Sequence, residues 1–246
     1  MSKAFRKNDI PILGIYARNV TEGQSIAKKA KTKYFDQLKS IPQDADIYLI
    51  CVSDDAIKIV VDALPNSIKK TKIVAHTSGS KSIDDTLLNC KNAGVFYPLQ
   101  TFTKGKRMFY KEIPFCINAR NKSTLNTLTN LGQKISTSVQ TINDKQRKSI
   151  HLSAVMINNF VNHLIFSAQD LLDKKDIDSN ILQPLLQETI KKQKSLGAYK
   201  AQTGPARRLD TKTMKAHLDM LKTNKEYKAI YKAISKSIQL TYNKKK

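Results

Sequence analysis

The 246-residue sequence has few cysteines, no tryptophan and no hydrophobic run long enough to span a membrane. Its three cysteines, Cys51, Cys90 and Cys116, stand apart without a CxxC spacing, which argues against a zinc site or a disulfide framework. Isolated cysteines of this kind are typical of reduced thiols inside the cell. The amino terminus is basic and polar and lacks the apolar segment of an export signal. We therefore expect a cytoplasmic protein without a membrane partner or a bound metal.

Acidic residues are scarce: the chain has 20 Asp and Glu and 43 Lys and Arg, which gives a formal net charge of +23. The excess is spread over both halves of the chain rather than gathered in one segment, so it indicates a solvated, lysine-rich surface. The stacking aromatics and the motifs of RNA-binding modules are missing. We expect no specific nucleic-acid partner, although a surface of this charge would attract anionic ligands in general.

The first half of the chain alternates between short apolar strands and helical segments. Strands are predicted over residues 11–16, 46–52, 72–76, 94–97 and 115–117, and each of the first three is followed by polar residues and then by helical spacing. This alternation is typical of a parallel α/β sheet. In such sheets ligands bind beyond the carboxyl ends of the strands. The polar residues that follow the three strands are therefore expected to share one binding edge.

From about residue 143 the strand pattern ends, and helical periodicity continues to the carboxyl terminus. It predicts a long, largely buried helix over residues 146–172, followed by three shorter helices. We therefore predict two domains, an α/β domain over residues 1–142 and an all-helical domain over residues 143–246.

Four short motifs stand in a fixed order along the chain. They are AHTSGS (75–80), YPLQTF (97–102), NNFVNHL (158–164) and QTGPARRLD (202–210). By these motifs the sequence resembles, over essentially its whole length, the Rossmann-like family that carries domain of unknown function 2520. That family is related to pyrroline-5-carboxylate reductase and the deazaflavin-dependent NADP oxidoreductases. The resemblance implies a Rossmann-type parallel sheet followed by an all-helical domain like that of 6-phosphogluconate dehydrogenase, with NADP as cofactor and a homodimer through the helical domain.

The sequence departs from the family pattern at its amino terminus. A Rossmann domain opens with strand 1 and a G-x-G-x-x-G loop that holds the cofactor pyrophosphate, but residues 2–7 match the end of the helix after that loop and residues 11–16 match strand 2. None of the eight glycines has this spacing. Strand 1 lies in the middle of the sheet in this fold, and each backbone group left unpaired beside it would cost about 1–3 kcal/mol. We hypothesise that Met1 is an internal methionine of a longer gene product, or that the start was misassigned. An upstream reading frame without the glycine motif would contradict this.

The resemblance places the cofactor-binding residues at the carboxyl ends of the strands. Arg18, after strand 2, would bind the ribose 2′-phosphate of NADP through its planar, charged guanidinium, assisted by Asn19. The remaining residues assigned to the cofactor are Val52, Ser53, Thr77, Ser78 and Gly79. Arg18 also has a structural interpretation as a solvated surface residue, and Ser53 has one as a helix cap.

Three further residues are candidates for catalysis or substrate binding. His76 is the candidate proton donor near neutral pH, with a histidine bonded to backbone at the strand end as its structural alternative. Gln100 and Arg207 are candidates for substrate binding. The alternatives are that Gln100 forms a hydrogen bond within its own turn and that Arg207 connects two helices.

The long helix carries four polar residues in an apolar stretch, and such groups need a partner in a ligand, in water or in a dimer mate. The candidates are Asn158 and Asn162 for catalysis and Asn159 and His163 for substrate binding, each pair of residues four apart sharing a helix face. The related β-hydroxyacid dehydrogenases have a catalytic lysine three residues before an asparagine, where this chain has Val155, so that mechanism is not carried over. His151 and His217 are interpreted as ordinary helix residues.

These residues predict an NADP-linked oxidoreductase that acts on an unidentified small molecule in the cleft between the two domains. The alternative is a non-enzymatic ligand-binding or scaffold protein that keeps a Rossmann-like fold.

Overall fold

The computed structural model describes residues 1–103, 105–106 and 108–243. Within them, seven strands form two sheets. The strands are β1 Gly14–Tyr16, β2 Lys33–Phe35, β3 Ile47–Ile50, β4 Ile73–His76, β5 Asn92–Pro98, β6 Phe115–Ala119 and β7 Val139–Thr141. β1 and β2 pair in parallel, and the other five strands follow the order β3-β4-β5-β6-β7. Only the β5–β6 pair of that larger sheet is antiparallel, so the predicted mostly parallel α/β sheet is confirmed.

β1, β3 and β4 lie inside the first three predicted strands, and β5 and β6 contain the other two. β2 and β7 have no counterpart in the prediction. Only three residues long, β2 opens on the exposed Lys33, so it lacks the apolar run that marks a buried strand. β1 and β3 stand in separate sheets. In a Rossmann sheet, strand 1 would stand between these two positions, so the larger sheet ends at β3 where that fold continues.

Short helices connect the strands. They are α1 Ser2–Lys7, α2 Val20–Ala30, α3 Asp54–Asp62, α4 Asn66–Thr71, α5 Ile83–Thr86 and α6 Lys122–Ile135. Asparagines cap the amino termini of α2 and α6. Asn19 Oδ1 accepts the Glu22 N–H at 2.9 Å, and Asn121 Oδ1 accepts the Thr124 N–H at 2.9 Å. These caps satisfy backbone donors that a helix start leaves free.

Neighbouring residues of the central strands face opposite sides of the larger sheet, and each side has a buried core. Val74 and Val95 pack on one side with residues of α3 and α4. Ala75 and Phe96 pack on the other side with α1 and α6, and the ring centroids of Phe96 and Phe115 lie 4.8 Å apart. A buried parallel sheet needs this apolar character on both faces.

The remainder of the described chain is helical. It contains α7 Asp144–Ala154, a π-helical segment Val155–Phe160, α8 Val161–Asp173, α9 Gln183–Leu196, α10 Ala198–Ala201, α11 Thr211–Met220 and α12 Lys225–Tyr242. The predicted long helix is therefore present, but its predicted burial is wrong, since Leu152 is 61% and Ile157 75% exposed. None of the helices in the described ranges combines the length and apolar character needed to cross a membrane.

By its internal contacts the chain divides into two units, Met1–Asn159 and Phe160–Lys246. The domain boundary predicted between residues 142 and 143 falls earlier than this division. Helix α7 accounts for the difference, because its Arg147 is fully buried and bonded to residues of the α/β unit.

Candidate active site

The carboxyl ends of β3 and β4 lie side by side in the α/β unit. Ile50 is paired with His76 in the strand register, and the Thr77 N–H donates to the Ile50 carbonyl oxygen at 3.2 Å. The polar residues that follow the two strands therefore share one edge, as predicted, whereas the third strand of that prediction, β1, lies in the smaller sheet. At this edge Val52 and Ser53 are exposed, and the Ser53 side chain makes no capping bond to α3.

The loop after β4 is folded back on itself by serine side chains. Ser78 Oγ accepts the N–H groups of Ser80 at 3.1 Å and Lys81 at 3.0 Å. The Ser80 hydroxyl donates to the Asp54 carboxylate at the start of α3. Burial alone would raise the pKa of Asp54, but hydrogen bonds from Ser80 and Ser78 outweigh it, and the pKa of this carboxyl lies below its ordinary value. A carboxylate thus stands charged at the binding edge.

Gly79 stands directly against two side chains from elsewhere in the fold. A Cβ atom at this position would lie 2.6 Å from His151 Nδ1 and 2.7 Å from Tyr97 Cζ, so the closeness of this contact requires glycine. The Tyr97 hydroxyl lies 3.4 Å from His151 Nδ1. We refer to these two residues as the Tyr97–His151 pair. Both are half-buried, and burial raises the pKa of the Tyr97 hydroxyl.

A buried ion pair holds α7 and thereby His151 in place. Arg147 is fully buried, and its guanidinium donates to Asp144 Oδ1 at 2.7 Å and to the Lys81 carbonyl oxygen. Asp144 also accepts the Asn118 side-chain amide at 2.8 Å and the Ile83 N–H at 3.2 Å. Burial alone would raise the pKa of Asp144, but these donors outweigh it and lower the pKa.

His76 lies beneath the edge rather than at it. The side chain is fully buried, and Nδ1 accepts the Ser78 N–H at 3.1 Å. Burial and then the charge of Arg147 lower the pKa of His76 from 6.5 to about 4. The imidazole is therefore neutral at pH 7, and this position matches the structural alternative, a histidine bonded to backbone at the strand end.

Arg18 and Asn19 follow β1 in the smaller sheet. Arg18 is exposed, and Asn19 caps α2, so a cation and a helix start are adjacent there. The structural interpretations of two other candidates are supported. Gln100 Oε1 accepts the N–H of Thr101 at 2.9 Å, and the Arg207 guanidinium donates to the Gln202 carbonyl oxygen and lies 5.1 Å from the Tyr242 ring centroid.

The four polar residues of the long helix are all exposed. Asn158 and Asn159 lie in the π-helical segment, whereas Asn162 and His163 lie in α8. The π segment departs from the α-helical spacing on which the predicted face-sharing depends. Short π segments often occur at functional sites, so these asparagines stay candidates.

Four residues that matter to this edge were not among the sequence candidates: Tyr97, His151, Arg147 and Asp144. The start of α7 carried a usable signal, because Asn143 and Gln146 form a capping box that fixes where the helix begins. One turn later Arg147 would follow on the inward face. The contact of His151 with Gly79 depends on the tertiary fold and leaves no mark in the local sequence.

A parallel sheet with polar groups at its carboxyl edge, followed by a helical region, defines a Rossmann-type α/β protein like the NADP oxidoreductases. The family model described as "Domain of unknown function (DUF2520)" matches residues 113–238, and the chain belongs to this family. A search of the curated proteins found no match.

Solved structures share this fold over nearly the whole chain. One is a "putative NADP oxidoreductase" of Bacteroides fragilis, with 30% identity, a TM-score of 0.86, and coverage of 97% of this chain and 92% of that one. Protein TM1727 of Thermotoga maritima has 17% identity, a TM-score of 0.78, and coverage of 99% and 95%. A reductive aminase of Aspergillus terreus in complex with NADPH and ethyl levulinate has 12% identity, a TM-score of 0.69, and coverage of 96% and 88%. The last two show the fold alone.

Proposed function

We propose that this protein is an NADP-linked oxidoreductase that reduces a C=N or C=O bond of a small molecule. The observation that carries the proposal is the meeting of Gly79, Tyr97 and His151 at the edge where sheets of this kind bind ligands. Gly79 lets the Tyr97–His151 pair pack against the backbone at this edge, and a pair of groups able to exchange a proton is what such a reduction needs. The similarity to the Bacteroides fragilis protein supports the cofactor class.

The residues present fit part of an NADP molecule. Arg18, exposed beside the start of α2, would hold the 2′-phosphate, and Val52, Ser53 and residues 77–79 would line the ribose and the nicotinamide. The glycine loop that would take the pyrophosphate is not among the 246 residues, since none of the eight glycines has its spacing. When bound, the reduced cofactor supplies a hydride. The protein's own residues orient the substrate and supply the proton.

A titration of the chain with NADPH and NADH, followed by calorimetry, tests this function. We expect a dissociation constant on the order of 1–100 μM for NADPH, on the usual scale for enzymes, and weaker binding of NADH, which lacks the 2′-phosphate. Equal binding of the two cofactors would count against the role of Arg18. No binding of either would refute the function.

A specific observation favours the alternative of a non-enzymatic binding or scaffold protein. The larger sheet ends at β3, and β1 stands apart from it, in a chain without a glycine loop. A folded protein that binds neither cofactor but gives a cooperative unfolding transition would support this alternative.

We propose further that the helical unit forms a homodimer. Among its described residues only Ser167, Ala206 and Leu221 are buried, which is too small a core to stabilise five helices. Large apolar side chains are exposed instead, among them Ile181 at 70%, Leu185 at 65% and Met220 at 79%. A second copy presents matching faces and would cover them symmetrically.

Sedimentation velocity tests the proposed homodimer over a range of protein concentrations. We expect a species of about twice the 27.7 kDa chain mass at micromolar concentrations. Because the burial of exposed aliphatic surface drives the association, added salt should not dissociate the dimer. A monomer at all concentrations would contradict this proposal.

A further inference from the structure

The Tyr97–His151 pair joins two distant parts of the chain at one point of the binding edge. Tyr97 stands near the end of β5, and His151 stands on α7. Their rings meet edge to face, with centroids 6.2 Å apart and an interplanar angle of 70°. This arrangement brings the phenol oxygen and the imidazole Nδ1 to 3.4 Å. Both side chains are half-buried, so the pair is open to the edge rather than sealed in the core.

The surroundings hold this pair far more firmly than an incidental surface contact requires. On one side the Gly79 backbone leaves no room for a methyl group. On the other side α7 is fixed by the fully buried Arg147, through bonds to Asp144 and the Lys81 carbonyl oxygen. A catalytic group gains most when its position is fixed before the substrate binds.

Three titratable or charged groups face the pair from the elements packed around it. They are the Asp54 carboxylate of α3, the Arg147 guanidinium of α7 and the Cys116 thiol of β6. Burial is the largest influence on the Tyr97 hydroxyl and raises its pKa, and Cys116 and Asp54 act in the same direction against Arg147. The hydroxyl therefore keeps its proton at neutral pH, as a proton donor must.

We infer that the Tyr97 hydroxyl donates the proton in the proposed reduction and that His151 returns a proton to it. The inference rests on the proposed function and names the acid that the function requires. The substrate carbon would accept the hydride that the cofactor supplies when bound, and the π electron pair of the C=N or C=O bond would move to the nitrogen or oxygen. That atom takes the proton of Tyr97, and the O–H bond breaks to leave a phenolate. The phenolate then takes the proton on His151 Nδ1, while His151 Nε2 takes a proton from water.

His76, the sequence candidate for this role, does not reach the edge. Its imidazole is fully buried, and Nδ1 is occupied by the Ser78 N–H. Tyr97 takes over as the acid, and His76 becomes a positioning residue for the loop that carries Gly79.

Steady-state reduction of 2-methyl-1-pyrroline and of ethyl levulinate by NADPH tests the inference in the full chain. We expect Tyr97→Phe to lower kcat by about 10²–10⁴-fold, the usual contribution of a general acid, and to leave the dissociation constant for NADPH within about twofold. The wild-type kcat should fall as the pH rises through the pKa of the donor, because the acid must be protonated to act. This alkaline limb should vanish in Tyr97→Phe. We expect His151→Gln to show a smaller loss and a shifted limb.

The helical unit offers a matched control. His217 Nδ1 lies 2.9 Å from the Tyr231 hydroxyl, also edge to face, so Tyr231→Phe removes the same kind of contact within the helical unit. We expect its kcat and pH profile to match the wild type. Circular dichroism melting curves of all variants verify that each is folded.

The outcomes separate the inference from the function on which it rests. If Tyr97→Phe is folded, binds NADPH and turns over with the wild-type kcat and pH profile, the proton-donor inference is overturned and the reductase function stands. If the wild type binds no NADPH, or oxidises it with neither probe, the function itself is overturned and the inference falls with it.

Discussion

Replacement of Arg147 by methionine tests the buried ion pair that anchors α7. Methionine is shorter than arginine but keeps much of its apolar stem and removes every donor. The Lys81 carbonyl oxygen loses its bond from the guanidinium, and Asp144 keeps only the donors from Asn118 and Ile83. The folded state is therefore left with a buried acceptor and a carboxylate without its cation.

The expected loss of stability depends on how exposed the Arg147 and Asp144 side chains are. Breaking a fully buried pair costs about 3–5 kcal/mol. The Arg147 side chain is 0% exposed but that of Asp144 is 28% exposed, so water can solvate part of the abandoned carboxylate. We therefore expect Arg147→Met to lower the free energy of unfolding of the α/β unit by about 2–3 kcal/mol.

Native-state hydrogen exchange of the peptides that carry β4 and β5 measures this loss within the α/β unit alone. That choice matters because the chain has no tryptophan to report on one unit by fluorescence. Lys58→Met is the control. Its bond to Asp62 joins side chains that are 65% and 46% exposed, so we expect a change of at most about 0.5 kcal/mol. A loss below about 1 kcal/mol for Arg147→Met would refute the reasoning, because the pair would then contribute no more than a surface contact.

Two further predictions concern residues beneath and beside the Tyr97–His151 pair. Because the pKa of His76 is lowered in the fold from 6.5 to about 4, the unfolded chain binds this proton first, and the α/β unit should lose up to about 3 kcal/mol of stability as the pH falls from 7 to 4. His76→Asn, which keeps an acceptor for the Ser78 N–H, should flatten that pH dependence in urea titrations, and an unchanged slope would contradict the lowered pKa. Gly79→Ala should cost about 1–3 kcal/mol of stability, because the methyl group overlaps His151 and Tyr97. Calorimetric melting measures this cost, and an unshifted melting temperature would show that the pair can move apart freely.

The parallel sheet and its binding edge could be predicted from the sequence because both depend on local signals. β3 and β4 are continuous apolar runs followed by polar residues, and this pattern alone gives the strand and the side of the sheet on which its polar end lies. β2 lacked such a run, since its three residues open on the exposed Lys33. Its position beside β1 is decided by tertiary pairing, which no local pattern records.

The burial of the long helix could not be predicted from its composition. An apolar run such as Val155 to Phe160 indicates that something covers the helix, but it does not say whether the cover belongs to the same chain. Within one chain Ile157 is 75% exposed. The error therefore lay in assigning these apolar residues to an intramolecular core.

The pair at the binding edge escaped prediction for a different reason. Histidine on a helix and tyrosine on a strand are both common, and neither residue departs from its local pattern. Gly79 does not have a positive φ, so close contact is what requires glycine there, but this conformation is seen only in the structure. Which side chains made that contact depended on α7 returning to the sheet, and the buried Arg147 fixes that return.

The separation of the two sheets and the Tyr97–His151 pair both bear on whether this protein is a reductase or a scaffold. Arg18 belongs to the smaller sheet, whereas Tyr97 and Gly79 belong to the larger one. A dinucleotide whose 2′-phosphate met Arg18 while its nicotinamide stood beside Gly79 would have to bridge β1 and β3, which do not pair with each other. Binding would then stabilise the smaller sheet as well as the edge, because a ligand that binds only the assembled state stabilises that state. Proton donation by the Tyr97–His151 pair, as we infer it, would serve a reductase and would have no use in a scaffold protein, so the pair supports the proposed reductase over the alternative.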